Sequence, residues 1–188
     1  PLAVVSMPLW SGVFGMLAGL RPSRVEWLGI AIGFAGVLWL NAGSSLTASP
    51  FGLVMLLLAP VAWAYGSIWS RGRDLPSPFM TAAAQMLCGG VLLVAMGLLR
   101  GESFAAMPTL RGSLAVLYLA VFGSIIAFSA FVWLLHHVRP TLVSSYAYVN
   151  PVIAVALGAW LAGERFSGHD LGAMAVILAG VITITVAK

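Results

Sequence analysis

The sequence predicts an all-α, polytopic transmembrane helix bundle, and three observations carry that prediction. The chain is 61% hydrophobic and 7% charged over 188 residues, where a soluble domain carries roughly 25% charged residues. Breaks rich in Arg, Gly, Pro and Ser divide it into seven apolar segments, each near the ~20 residues that a bilayer-crossing helix needs. None of the seven contains Asp, Glu, Lys or Arg. Transmembrane β-strands are about half as long and alternate polar with apolar residues, a pattern these segments lack.

The first segment, 2–20, is entered directly from Pro1 and carries Pro8 and Gly15. With no Met at its start and no signal-peptide pattern, the chain is expected to lack its natural beginning. The second segment spans 27–42. The third, 51–70, contains Pro60, which should kink it, followed by a cluster of Trp63, Tyr65, Ser67 and Trp69. In the fourth, 78–99, Gln85 precedes Cys88, Gly89 and Gly90, and small residues there favour close helix contact. Cys88 is the only cysteine, which excludes an internal disulfide and a thiol metal cluster. The fifth, 113–135, runs into a stripe of Ser129, Trp133 and His137 at i, i+4, i+8.

The sixth segment, 141–163, is the most informative. It sets Ser144-Ser145-Tyr146-Ala147-Tyr148-Val149-Asn150-Pro151 inside an apolar run. Polar side chains in a membrane span are costly unless they face a cavity or a neighbouring helix. Pro151 removes a backbone donor and is expected to open the helix around 146–150. The seventh segment, 171–187, ends the chain.

Loop charges give an orientation. Arg21, Arg24, Arg71, Arg73, Arg139 and Lys188 fall on one side, and Arg100, Arg111 and Arg165 on the other. Glu102, Glu164 and Asp170 neutralise the second side, so the net +4 lies on the first. The positive-inside rule makes that first side, with the C-terminus, cytoplasmic. So small an excess points to topology and not to nucleic acid.

Shifting the chain by 143 residues lays Pro8 on Pro151, Gly15 on Gly158, Leu28 on Leu171 and Gly29 on Gly172. The shift carries the first span onto the sixth, five helices away, so the two copies have opposite orientation. Inverted repeats of this kind mark secondary transporters, with the substrate site near the midplane between them. The expected division is 1–42, the last two helices of a first repeat, and 51–188, a complete second repeat of five. A full five-plus-five protein would then have about three further helices before this chain.

Phe122-Gly123-Ser124-Ile125-Ile126-Ala127, the 144–151 run and Gly163-Glu164 resemble the second half of the EamA family, a branch of the drug/metabolite transporter superfamily. Val25-Glu26-Trp27-Leu28-Gly29-Ile30-Ala31-Ile32-Gly33 and Ala62-Trp63-Ala64-Tyr65-Gly66-Ser67 are similar to its YedA-type exporters. The resemblance covers essentially the whole chain. It implies a ten-helix inner-membrane protein that moves small organic solutes outward through a cavity lined by both halves. One departure is that Glu164, an acid often found after the fourth helix of a repeat, is matched in the first repeat by Arg21.

Candidate solute contacts follow from polar groups in the spans. Ser144, Tyr148, Pro151 and Val155 share one helical face, and Tyr146 and Asn150 another. Each is read either as cavity lining or as interhelical hydrogen bonding, the latter worth roughly 0.6–2 kcal/mol per contact. Trp63 and Ser67 are i, i+4 neighbours, and an aromatic wall would suit apolar or cationic solutes. Gln85 either lines the cavity or bonds a neighbouring helix. His137 is a candidate gate or proton relay, because histidine titrates near neutrality, or a solvated helix end. Glu164 either binds solute at the exit or pairs locally with Arg165. Tyr148 and Asn150 have no polar counterparts in the first repeat, where Val5 and Met7 stand, so they are the leading solute contacts.

The function expected is export of small metabolites or drug-like solutes by alternating access. The expected partners are a small organic solute, the lipid bilayer and a second copy of the chain in a homodimer. No cofactor, metal or nucleic acid is expected. The alternatives are a channel-like or lipid-moving membrane protein, separable by saturable, solute-specific exchange, and a seven-helix receptor. A retinal protein needs a lysine within a helix, and the only lysine is Lys188. Aspartyl proteolysis needs paired acids within the membrane, and the spans hold none.

Overall fold

The structure, a computed structural model, describes residues 2–42, 49–102, 109–162 and 167–187. Every element among them is helical. In chain order these are α1 (Leu2–Val5), α2 (Met7–Leu17), α3 (Arg24–Leu40), α4 (Pro50–Arg71), α5 (Pro78–Leu99) and α6 (Leu110–Tyr118). A π-helical stretch (Leu119–Phe128) continues α6 into α7 (Ser129–His137), followed by α8 (Pro140–Ser144), α9 (Tyr146–Ala162) and α10 (Gly168–Val186). The chain forms two compact units, one of Pro1–Gly72 with Val138–Lys188 and one of Arg73–His137.

Local chemistry sets the helix ends. Ser49 and Ser77 cap α4 and α5, each accepting a backbone N–H three residues on, and a proline follows as the first helical residue. Thr109 caps α6 in the same way. Gly19 (φ 81°) and Gly101 (φ 74°) close α2 and α5. At each, two backbone bonds reach back into the last turn, Leu20 N to Gly15 O (2.8 Å) and Glu102 N to Gly97 O (3.0 Å) being the longer-range ones. That is the pairing a left-handed glycine permits at a helix C-terminus.

Five helices are long and apolar enough to cross a membrane: Phe51–Arg71, Pro78–Leu99, Leu110–His137, Pro140–Trp160 and Gly168–Val186. The first of the seven expected spans is shorter than the sequence predicts, and the second is shifted towards the N-terminus. The first is interrupted at Ser6 and stops at Leu17, where Gly19 turns the chain. The second is the 17-residue α3, which begins at Arg24, three residues before the apolar run. The Ser23 hydroxyl accepts from Glu26 N (3.2 Å) while the Glu26 carboxylate accepts from Ser23 N (2.7 Å), so a charged turn is drawn into the helix.

In the larger unit, α3 and α10 form the closest helix pair. Gly29 lies against Ile184, Gly33 against Gly180, and Gly36 against Ile177, so the two helices run antiparallel. A Cβ on Gly180 would sit 2.4 Å from Gly33 N and 2.6 Å from Gly33 Cα. The backbones therefore touch, as small residues allow in membrane helices. Both helices open with reciprocal caps, Ser23 with Glu26 and Ser167 with Asp170. Around the pair, α1 and α2 pack on α4, and α8 and α9 close the side. The core consists of Val5, Ile30, Val37, Tyr148, Ile177 and Ile184.

In the smaller unit, α5 packs along the π-helical stretch and α7.

Candidate functional site

The 146–150 segment, expected to open at Pro151, is instead continuous helix within α9, and the sixth span breaks at Ser145. Its serines turn inward on their own helix. The Ser144 hydroxyl donates to Thr141 O (3.1 Å) and the Ser145 hydroxyl to Leu142 O (2.8 Å), a local bond that competes with helix continuation. Both side chains are buried. The interruption in the first span, at Ser6, lies two residues before Pro8, whereas Ser145 lies six before Pro151. The aligned prolines therefore do not mark equivalent breaks.

Beyond Ser145, α9 separates its polar residues between two environments. Tyr148 is 0% exposed. Its hydroxyl donates to Ile30 O of α3 (3.0 Å), and its ring covers Gly33, where a Cβ would lie 2.7 Å from Cδ2. Tyr148 and Ser144, expected together on a solute-facing surface, sit in the helix packing of this structure. Tyr146 reaches α2, with its hydroxyl 3.8 Å from the Met7 sulfur. Asn150 is exposed, and among the described residues its amide makes no hydrogen bond.

Asn150, Pro151 and Val155 form one wall of a chamber of about 460 Å³, completed by Val4, Val5, Leu40 and Ala154. Asn41 and Asp170 are its remaining polar residues. The Asp170 carboxylate accepts from Ser167 N (2.9 Å) and the Ser167 hydroxyl (2.7 Å), and is 3.6 Å from His169 Nδ1. An amide with both donor and acceptor, apolar walls and a nearby carboxylate can hold a small amphipathic solute by a few directed bonds. Asp170 counted only as a loop charge in the sequence; its Ser-x-x-Asp spacing was the available signal.

At the opposite end of α3 is a buried ionic cluster whose charged residues lie outside the apolar segments of the sequence. Glu26, 3% exposed, lies 3.2 Å from Arg139 Nη1 and accepts from the Thr141 hydroxyl. Arg139 also donates to Ile184 O (3.5 Å), and Arg71 donates to Val138 O. The cluster thus ties the start of α3 to the start of α8, the end of α10 and the end of α4. The separation of Glu26 and Thr141 by 115 positions hid it from inspection of local pattern.

The other candidates lie elsewhere. Trp63 is exposed on α4, and Ser67 lends its carbonyl to the Ser70 hydroxyl (3.0 Å); neither lines the chamber. Gln85 is exposed on α5, in the smaller unit. His137, also in that unit, stacks on Trp133 (3.9 Å between centroids), and its Nδ1 donates to Trp133 O (2.7 Å). Glu164 lies outside the described residues, as do Arg165 and Lys188.

Five apolar helices of membrane-crossing length are those of a multi-pass integral membrane protein. The EamA-like transporter family matches residues 50–186, and the chain belongs to that family. It is 43% identical over 187 residues to the "Uncharacterized inner membrane transporter YedA" of Escherichia coli (strain K12), covering 100% of this chain and 61% of that protein. It is 27% identical over 157 residues to "Protein PecM" of Dickeya dadantii (81% of this chain, 52% of PecM). The "Uncharacterized transporter YvbV" of Bacillus subtilis is 26% identical over 186 residues (96% and 60%). The chain spans about half to three fifths of the length of these relatives. No solved structure matches it. Family and relatives together make it a multi-pass inner-membrane protein of a transporter family.

Proposed function

We propose that the chain is the larger part of a secondary transporter that exports small metabolites or drug-like solutes across the inner membrane by alternating access. The reading includes two inverted repeats of five helices, divided here as 1–42 and 51–188. It also puts the end bearing Arg21, Arg71 and Arg139 in the cytoplasm, as the positive-inside rule requires. One observation carries it: Asn150, an amide in mid-span, faces a chamber of about 460 Å³ with no hydrogen-bond partner among the described residues. A polar group left open in a membrane span is a substrate-site candidate, and the volume lies in the range of small-molecule sites, roughly 300–1,000 Å³. The nearby carboxylate of Asp170 favours neutral or cationic solutes over anions.

In this reading Asn150 binds solute and Tyr148 holds α9 in place behind it. Trp63, Ser67 and Tyr146 are the secondary contacts; Gln85, in the smaller unit, is a separate candidate contact. The test is efflux of a broad metabolite panel from proteoliposomes that hold the full gene product. Asn150→Ala and Trp63→Ala should each lower saturable transport at unchanged membrane abundance. Transport that neither substitution alters would overturn the site assignment, and non-saturable flux would favour a channel.

A further inference from the structure

We propose that the arginine-lined cavity at the start of α3 binds a phosphate-type anion, a monoester or diester, which is not the transported solute. Three guanidinium groups, Arg21, Arg71 and Arg139, and one carboxylate, Glu26, line a space of about 250 Å³. Among the described residues of this unit, the other carboxylate is Asp170, in the chamber at the far end of the α3–α10 pair. Glu26 is already engaged by Arg139, Thr141 and Ser23. Arg21 makes no hydrogen bond or ion pair among the described residues and is exposed on the link between α2 and α3.

Size and chemistry narrow the occupant. The cavity, about 250 Å³, falls below the roughly 300 Å³ at which drug-sized sites begin. It therefore suits a head group and not a whole solute of the kind the larger chamber fits. Guanidinium forks match phosphate oxygens, often in pairs. Leu20, Pro22 and Pro140 add an apolar border beside the charges, where an ester substituent can rest. The cavity lies at helix ends, the depth at which basic pockets between membrane helices meet lipid head groups. A lipid head group and a soluble phosphate share this chemistry.

The proposal is independent of the transport reading, and its test needs no transport. The purified gene product in phosphatidylcholine nanodiscs is titrated with dihexanoyl phosphatidylglycerol, with glycerol phosphate and with dihexanoyl phosphatidylcholine, and apparent Kd is read from thermal shift. At least one of the two anions should bind, the phosphatidylcholine should not, and Arg21→Gln should weaken binding about tenfold, as for loss of one charge-assisted bond. Arg21→Lys, which keeps the charge, should recover most of the affinity. Binding of the phosphatidylglycerol alone identifies a lipid site, and binding of glycerol phosphate identifies a site for a soluble anion. No anion binding, equal binding of the zwitterion, or an Arg21→Gln protein that binds like the wild type would overturn the proposal.

Discussion

Adding one methyl group at Gly180 tests the scaffold most directly. The new Cβ would lie 2.4 Å from Gly33 N, 2.6 Å from Gly33 Cα and 2.9 Å from Gly29 O. All three are backbone atoms, so no rotamer change relieves the contact. The closest approach falls short of ordinary van der Waals separation by about 1 Å, and α3 and α10 must part by a comparable distance. A gap of ~0.5–1 Å forfeits about a quarter to a half of the dispersion well of each atom pair it opens. The loss extends along the interface, because a Cβ on Gly29 would lie 2.7 Å from Ile184 and one on Gly36 2.8 Å from Ile177.

Overpacking of this kind costs about 1–3 kcal/mol, and Gly180→Ala belongs at the upper end of that range. Gly89 is the control, since a Cβ there meets nothing within 4 Å. In a helix interior Gly→Ala gains about 0.5–1 kcal/mol, so Gly89→Ala should hold or raise stability. The assay is thermal unfolding of the detergent-solubilised gene product, where each kcal/mol moves Tm by roughly 2–4 °C for a chain of this size. A drop of several degrees for Gly180→Ala, with none for Gly89→Ala, is expected. A Gly180→Ala protein as stable as Gly89→Ala would refute the backbone contact between α3 and α10.

Tyr148→Phe removes only the bond to Ile30 O and should cost about 1 kcal/mol, whereas Tyr148→Ala also empties the space over Gly33 and should cost about 3 kcal/mol or more; the same melting assay separates them. Glu26→Gln and Arg139→Gln, combined in a double-mutant cycle, should show a coupling of about 0.5–3 kcal/mol, held towards the low end because the Arg139 side chain is 38% exposed; zero coupling would mean the pair is not energetically joined. Asn150→Ala, which breaks no hydrogen bond among the described residues, should leave stability within about 0.5 kcal/mol of the original while lowering transport, so that a large loss of stability would move Asn150 into the packing.

Segments with terminal punctuation were legible in the sequence. The predicted 51–70 and 78–99 became Pro50–Arg71 and Pro78–Leu99, because Ser-Pro at the start fixes the cap and the first φ together. The start of α3 was missed because Arg24 and Glu26 interrupt the apolar pattern, although Ser23-x-x-Glu26 signals a cap more strongly than hydropathy signals a loop. The ten-residue π-helical stretch at Leu119–Phe128 has no cause that the sequence pattern shows. Within the site, mid-span Asn150 was legible as a polar group, and it lines the chamber. Tyr148 looked equivalent to it, yet the donor-acceptor chemistry that made it a candidate is spent on Ile30 O. Which polar side chain faces a neighbour and which a cavity depends on tertiary partners, and glycine at position 33, which admits the Tyr148 ring, is far away in the sequence.

Tyr148 and Asn150, two residues apart, project some 200° apart around a helix that turns about 100° per residue, so one helix serves both scaffold and chamber. The anchors of this span are distributed accordingly. Through Arg139 and Thr141, the start of α8 is tied to Glu26 on α3. Through Tyr148, α9 is tied to the same helix at Ile30. Ser145 interrupts the helix between the two ties. Movement of α9 about Ser145 can therefore leave the Glu26 cluster intact while it parts Tyr148 from Ile30 and Gly33. Any movement that shifts Asn150 across the chamber either carries α3 with it or breaks that one buried hydrogen bond, worth about 1 kcal/mol. A solute gaining two good contacts to Asn150 in only one position of α9 supplies that much, and so can select between the positions.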